Sequence, residues 1–180
     1  IIKENTISNN TGNGIKIDSS NSAGKADNNQ IISNVIKNNE DSGIYLIAGT
    51  ESWVKHTIID GNTISGHDYG IYFYASSTDY RTKINDNIIR NSTISGNQIG
   101  IYLDKKQNSN GNAQNQCNGN KFDNLTVINN FQYGFYLNEC EDNEITNSII
   151  SNNGPQGDTS VAIPVAQINS ISSSSKNPLQ

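Results

Sequence analysis

The chain has no methionine, one tryptophan, two histidines and two cysteines. No apolar run approaches the ~20 residues of a membrane span, no signal peptide opens the sequence, and no stretch keeps a helical apolar spacing for long enough to make a helix. No membrane-spanning helix and no helical bundle is expected. Basic residues are few and scattered: 12 Lys and Arg stand against 17 Asp and Glu, for a net charge of −5 and a pI near 4.9. A nucleic-acid partner is excluded on the same ground, since phosphate binding calls for a clustered basic face. Apolar residues make up only 33% of the chain and the mean hydropathy is −0.61, too little for the thick core of a sandwich or α/β domain. A solenoid with a core one side chain thick works with less. A chain that begins Ile1-Ile2-Lys3 without Met reads as a mature or excised piece whose targeting segment lay upstream.

Asparagine and isoleucine dominate: 31 Asn and 27 Ile among 180 residues. They occur in phrases. Asn13-Gly14-Ile15-Lys16-Ile17-Asp18, Ser42-Gly43-Ile44-Tyr45-Leu46-Ile47, Tyr69-Gly70-Ile71-Tyr72-Phe73-Tyr74, Ile99-Gly100-Ile101-Tyr102-Leu103-Asp104 and Tyr133-Gly134-Phe135-Tyr136-Leu137-Asn138 share a Gly-apolar-x-apolar core, their glycines 29, 27, 30 and 34 residues apart. Such periods signify stacked repeats. Between them runs an apolar-x-x-Asn-x-apolar element, as in Ile31-Ile32-Ser33-Asn34-Val35-Ile36 and Ile59-Asp60-Gly61-Asn62-Thr63-Ile64. Each repeat then holds three short Ile-rich β segments separated by Asn or Gly turns.

Because each segment recurs with the same face apolar, it pairs in parallel with its own copy one turn later, ~4.8 Å along an axis. The expected fold is all-β: a right-handed parallel β-helix of five turns and a partial sixth over residues 1–171, with Val161-Ala162-Ile163 as a last strand and a Ser-rich linker over 172–180. The abrupt ends imply a fragment of a larger protein, with neighbouring domains of the same chain as partners. Asn5, Asn34, Asn62, Asn91, Asn124 and Asn147 are expected to form a corner ladder, since Asn tolerates left-handed geometry and an inward amide bonds its stacked neighbours. His67 reads as a solvent or turn residue.

These phrases resemble the repeats of right-handed parallel β-helix proteins over residues 1 to about 153, a family of polysaccharide lyases, hydrolases, epimerases, tailspikes and non-catalytic surface modules. The Asn/Ile/Ser texture and the Gly-Ile-Tyr-Leu phrases also resemble the β-helical domain of disaggregatases, surface polysaccharide-degrading proteins of methanogenic archaea. The resemblance implies an extracellular or cell-surface location and a polysaccharide ligand.

Alternation sends the second and fourth residues after each glycine outward. One outward column is then Lys16, Tyr45, Tyr72, Tyr102 and Tyr136; beside it run Asp18, Ile47, Tyr74, Asp104 and Asn138. Sugars stack on aromatic faces and bond to carboxylates, amides and phenols, so Tyr45, Tyr72, Tyr74, Tyr102, Tyr136 and Asn138 are substrate-binding candidates. The competing reading is that stacked tyrosines simply favour parallel strands. Variable loops at 19–28, 48–56, 75–82 and 105–119 add Trp53 and Lys105 to the binding candidates.

Hydrolysis needs two carboxylates about 5 to 9 Å apart, for which Asp104, Glu139 and Asp79 are candidates; elimination from a uronate needs a base and a cation, for which His56 and Arg81 serve. No cofactor is required. Calcium is the one ion to consider, at Asp18, Asp27, Glu139, Glu141 or Asp142, but no loop has the Asp-x-Asp-x-Asp-Gly spacing of a strong site. Cys117 and Cys140, in successive inter-repeat loops, are a disulfide candidate whose Cα separation the spacing leaves open. The expectation is a domain that binds and degrades an extracellular polysaccharide; the alternative is a non-catalytic carbohydrate-binding or structural module.

Overall fold

The computed structural model describes residues 1–77, 81–106 and 116–154, and the backbone of 168–172. Every strand pair is parallel, and the strands stack into a β-solenoid. One side is a seven-stranded sheet of β1 (Ile2–Lys3), β5 (Gln30–Ile32), β9 (Ile58–Asp60), β13 (Ile88–Arg90), β16 (Lys121–Asp123), β19 (Asn143–Thr146) and β21 (Ile168–Ser172). The second has six strands, β2 (Thr6–Ser8), β6 (Val35–Lys37), β10 (Thr63–Ser65), β14 (Thr93–Ser95), β17 (Thr126–Ile128) and β20 (Ile149–Ser151). The glycine phrases build the third, of five longer strands: β3 (Ile15–Ser19), β7 (Ser42–Ala48), β11 (Tyr69–Ala75), β15 (Ile99–Lys105) and β18 (Tyr133–Asn138). Five strands leave four steps between them, so about four turns close from Ile15 to Asn138, slightly fewer than expected; β19 and β20 begin a further coil. Val161–Ile163 and the tail beyond Ser172 lie outside the described residues.

A fourth side was not expected. Parts of two stretches read as loops, with the residues just after a third, form a three-stranded sheet, β4 (Lys25–Asp27), β8 (Trp53–Lys55) and β12 (Lys83–Asn85), extended by a bridge from Lys83 to Gln116. Each strand contributes one inward side chain, Ala26, Val54 or Ile84. A single apolar residue per segment is too weak a signal for a strand in sequence.

Inside, like packs on like. Ile36, Ile64, Ile94 and Val127 form one column, Ile44, Ile71, Ile101 and Phe135 another, and Leu46, Phe73, Leu103 and Leu137 a third. All are buried. At ~4.8 Å spacing a β-branched side chain meets its copy along its whole length, which is why isoleucine predominates.

The corners follow one rule. A residue in the left-handed region is followed by an inward residue whose side chain accepts the backbone N–H of the preceding coil. Among the described residues sixteen non-glycine residues have positive φ, eight of them Asn, far above the few per cent usual in proteins. One ladder runs Asn10, Asn39, His67, Asn97, Asn130, Asn153, with links of 3.0 to 3.1 Å. Another runs Thr57, Asn87, Asn120, Asn143. The third begins Asn5, Asn34, Asn62, Ser92 and ends with Ser148 accepting Leu125 N–H.

This corrects the expected series by one residue in its second half. Asn91, Asn124 and Asn147 are the exposed left-handed residues, with φ of 51° each, while Ser92, Leu125 and Ser148 take the inward position. His67 is likewise no solvent residue. It is 4% exposed and replaces an Asn in its ladder: Nδ1 accepts Asn39 N–H at 3.1 Å, and Nε2 donates to Ile36 O at 3.2 Å. Nδ1 also stands 3.0 Å from Asn39 O, so the ring is held on both sides by backbone groups of the preceding coil.

The repeated glycines answer a steric demand rather than a left-handed backbone. A Cβ on Gly100 would stand 2.6 Å from Gly134 O and 2.9 Å from both Asn130 Nδ2 and Val127 Cγ1. Gly100→Ala should therefore destabilise the fold by about 1 to 3 kcal/mol, the usual cost of overpacking, measurable by denaturant titration; an unchanged midpoint would refute the close approach. One corner is imperfect: Asn29 Nδ2 and Thr57 Oγ1 are buried without partners. Thr57→Asn should complete that ladder, gaining about 1 kcal/mol per recovered bond and raising the melting midpoint by a few degrees.

Candidate functional site

The third sheet presents the outward column as expected in register. Tyr45 pairs with Tyr72, Tyr72 with Tyr102, and Tyr102 with Tyr136, and Lys16 stands opposite Tyr45. Ring centroids along this column are 5.0, 5.0 and 5.1 Å apart. Tyr69, Tyr74 and Tyr133 join it from the flanks at 4.8 to 5.7 Å, so seven of the eight tyrosines make one aromatic surface. Alternation offers no reason to include Tyr69 and Tyr133. They precede the glycine, and strict alternation would turn them inward, but the tight approach at Gly70 and Gly134 uses two inward positions in succession.

The geometry changes what the surface offers. Tyr72 and Tyr102 are inclined by only 3°, Tyr45 and Tyr72 by 15°. Rings stacked along the axis cover one another's faces, and Lys16 Nζ stands 5.7 Å from the Tyr45 ring at one end. What reaches solvent is mainly ring edges and a row of hydroxyls. Burial, reinforced by the Asp104 charge, pushes the Tyr72 and Tyr102 phenols far up, and burial pushes Tyr45 up to about 12. The hydroxyls are thus neutral donors at ordinary pH.

Beside them lies the second column, with Asp104 opposite Asn138 and Tyr74. Asp104 accepts from Asn138 Nδ2 at 2.8 Å and from Tyr72 Oη at 3.4 Å. Asp18, at the far end, is held at about 2 by its hydrogen bond from Lys16, a 2.7 Å ion pair.

The other acid–base candidates do not gather here. Asn138, not Glu139, stands opposite Asp104; Glu139 is the left-handed residue that ends β18, at φ 57°. His56 is a left-handed corner residue at the end of β8, its Nδ1 2.7 Å from Asp27 Oδ1 on the fourth sheet. Trp53 lies on that fourth sheet as well, under Lys25 Nζ at 4.7 Å from its ring centroid, and does not extend the tyrosine surface. Lys105 follows Ser19, Ala48 and Ala75 in a column of otherwise buried residues rather than joining the tyrosines. Arg81 is exposed at the corner before Thr82. Asp79 lies outside the described residues.

Cys117 and Cys140 are free, fully buried thiols, and burial pushes the Cys140 thiol strongly up, with Cys117 beside it as a further cause. The carboxylates considered for calcium are not gathered: among the described residues no three His, Cys, Asp or Glu side chains stand close enough to share an ion. Among them, too, no helix is long and apolar enough to cross a membrane.

Residues 1–87 match the family model described as a right handed beta helix region, and residues 53–171 match the model described as periplasmic copper-binding protein (NosD). No curated protein and no solved structure matches the chain.

The raised phenols make alkaline stability a test of the column. The folded state favours the neutral phenol, so this stabilisation is complete below the ordinary value of 10.0 and is lost as pH rises through about 12 for Tyr45, and higher still for Tyr72 and Tyr102. Absorbance titration should show a late-ionising group of tyrosines that titrates normally in denaturant. Titration of every tyrosine near pH 10 in the folded protein would contradict the stacked geometry.

Proposed function

This chain belongs to the NosD family of right-handed β-helix proteins, and from that premise we propose that it is an extracytoplasmic module that binds a polysaccharide along its axis. The observation that supports this reading is the unbroken column Tyr45, Tyr72, Tyr102, Tyr136, with Asp104 and Asn138 in register beside it. A phenol every ~4.8 Å along a rigid sheet suits a polymer whose hydroxyls also repeat along its length. The side column adds a carboxylate acceptor and an amide, and ring edges supply apolar contact between them. Recognition is by hydroxyls and edges rather than by stacking on ring faces, because the faces are already occupied by neighbouring rings.

Binding is preferred over cleavage for a specific reason. Asp104 is engaged by Asn138 and Tyr72, while Glu139 and His56 are left-handed corner residues, His56 held against Asp27, Arg81 is exposed before Thr82, and Asp79 lies outside the described residues. Glycoside hydrolysis needs a second carboxylate across the bond; the side chain opposite Asp104 is an amide.

The copper named in the family description favours imidazole, thiolate and thioether donors. This chain has no Met, and His67 uses both ring nitrogens in its ladder. His56 stands apart against Asp27, and around the buried Cys117 and Cys140 no third donor is gathered among the described residues. These donors do not fit a copper centre, and the binding reading uses none. The periplasmic setting of the family agrees with an extracellular or surface ligand.

Tyr72→Phe combined with Tyr102→Phe keeps the stacking and removes two hydroxyls. Affinity electrophoresis against neutral and acidic polysaccharides should show binding weakened about tenfold or more, with the melting midpoint nearly unchanged. Equal retention of the variant, or no retention of the parent on any gel, would remove this reading and leave the column as a device of strand pairing.

A further inference from the structure

Where the chain enters the third sheet, the corner between the second and third sheets is broken by a notch of about 390 Å³, lined by Asn38, Glu40, Gly66, Asp68, Gly96, Gln98 and Phe131 among others. Its origin is legible in the chain. The left-handed corner column runs Asn9, Asn38, Gly66, Gly96, Asn129, Asn152. In the two glycine coils the path to the next glycine phrase is one residue shorter: Gly66 to Gly70 and Gly96 to Gly100, against Asn38 to Gly43 and Asn129 to Gly134. Two adjacent coils thus lack both a corner side chain and one turn residue, leaving a gap about 10 Å long on the axis. Glu40 and Phe131, from the fuller coils, stand at its two ends.

The lining is chemically selective. Phe131 is 60% exposed, unusual for a phenylalanine, and supplies an aromatic surface that no ring among the described residues covers. Among the described residues, the side chains of Glu40, Asp68 and Gln98 have no hydrogen-bond or ion-pair partner within the chain. Two carboxylates and no Lys or Arg line the cavity, which disfavours phosphate, sulfate and uronate groups. One apolar ring face beside carboxylate and amide groups is the arrangement that recognises a pyranose. We infer that the notch is a second saccharide-binding site, selective for a sugar unit without negative charge, either neutral or amino-bearing.

The site does not depend on the tyrosine column, and one titration reads the two apart. In ¹⁵N-labelled protein, cello-, manno- and chito-oligosaccharides, chitosan oligomers and oligogalacturonates are added in turn, and the amides of Gly66, Gly96 and Gln98 are followed against those of Tyr72 and Tyr102. At least one uncharged or amino oligosaccharide should shift the notch amides, and oligogalacturonate should not. Phe131→Ala should weaken that binding about tenfold, the loss of one well-packed aromatic contact. Gly96→Asn should weaken it similarly while leaving the fold intact. A Cβ on Gly96 meets nothing within 4 Å, and Asn already adopts this left-handed conformation at four positions of the column. Shifts confined to Tyr72 and Tyr102 overturn the notch and leave the column reading standing; shifts confined to the notch do the reverse. No response at Gly66, Gly96 and Gln98 to any saccharide, oligogalacturonate binding as tight as the uncharged sugars, or undiminished binding by Gly96→Asn each overturns the notch.

Discussion

Everything in this solenoid depends on closing each corner without leaving a backbone N–H unpaired in the core. The chain bends at a residue in the left-handed region, and the next residue points inward with an acceptor for the amide one coil below, as Asn62 accepts from Asn34 N–H and Asn130 from Asn97 N–H. An orphaned buried amide costs roughly 1 to 3 kcal/mol, and a coil has three such corners, so the ladder residues are as necessary as the isoleucines they enclose. This requirement explains a core that works with 33% apolar residues: asparagine fills interior volume while satisfying the backbone. It also sets the axial pitch, and through the pitch the spacing of every outward column.

Sequence made the columns that face the core easy to read, because their constraint repeats without exception. Gly100 recurs as glycine since its Cβ would meet a carbonyl oxygen, and Ile64 and Ile94 recur since each packs on the other. The corner ladders were harder. The left-handed residue and the inward residue both favour Asn and are adjacent, so Asn91-Ser92 and Asn34-Val35 look alike although Asn91 is outside and Asn34 inside. His67 was hidden for a related reason: an imidazole offers two ring nitrogens for hydrogen bonds where an amide offers its oxygen and nitrogen, and nothing in the local sequence announces that equivalence. The fourth sheet left only Ala26, Val54 and Ile84 as its trace.

For the candidate site, alternation placed Tyr45, Tyr72, Tyr102 and Tyr136 in one outward column, but it said nothing of ring orientation. At ~5 Å spacing, neighbouring rings either splay or stack. They stack, and stacking consumes the very faces on which a sugar would rest. The chemical offer of the column passes from π-faces to phenol hydroxyls, kept neutral by burial and by the Asp104 charge. Spacing along the chain also suggested Glu139 as the partner of Asp104, whereas the register supplies Asn138. A single residue of offset separates a carboxylate pair from a carboxylate–amide pair, and with it a reading of cleavage from one of binding.

The two surfaces singled out arise in opposite ways. The tyrosine column is a regular feature at a position the fold leaves free, so it extends as far as the coils do and offers the same weak contact repeatedly. The notch is an irregularity at a position the fold usually constrains, two glycines where the corner column otherwise carries asparagine, so it occurs once. For a polymer ligand the difference is functional. Repeated contacts along an axis add through effective concentration but permit sliding by one unit. A unique site off that axis removes the degeneracy, because only one placement of the chain, or of a branch from it, can fill it. On a scaffold whose other features recur at every coil, the place where the repeat fails is where a ligand's register can be fixed.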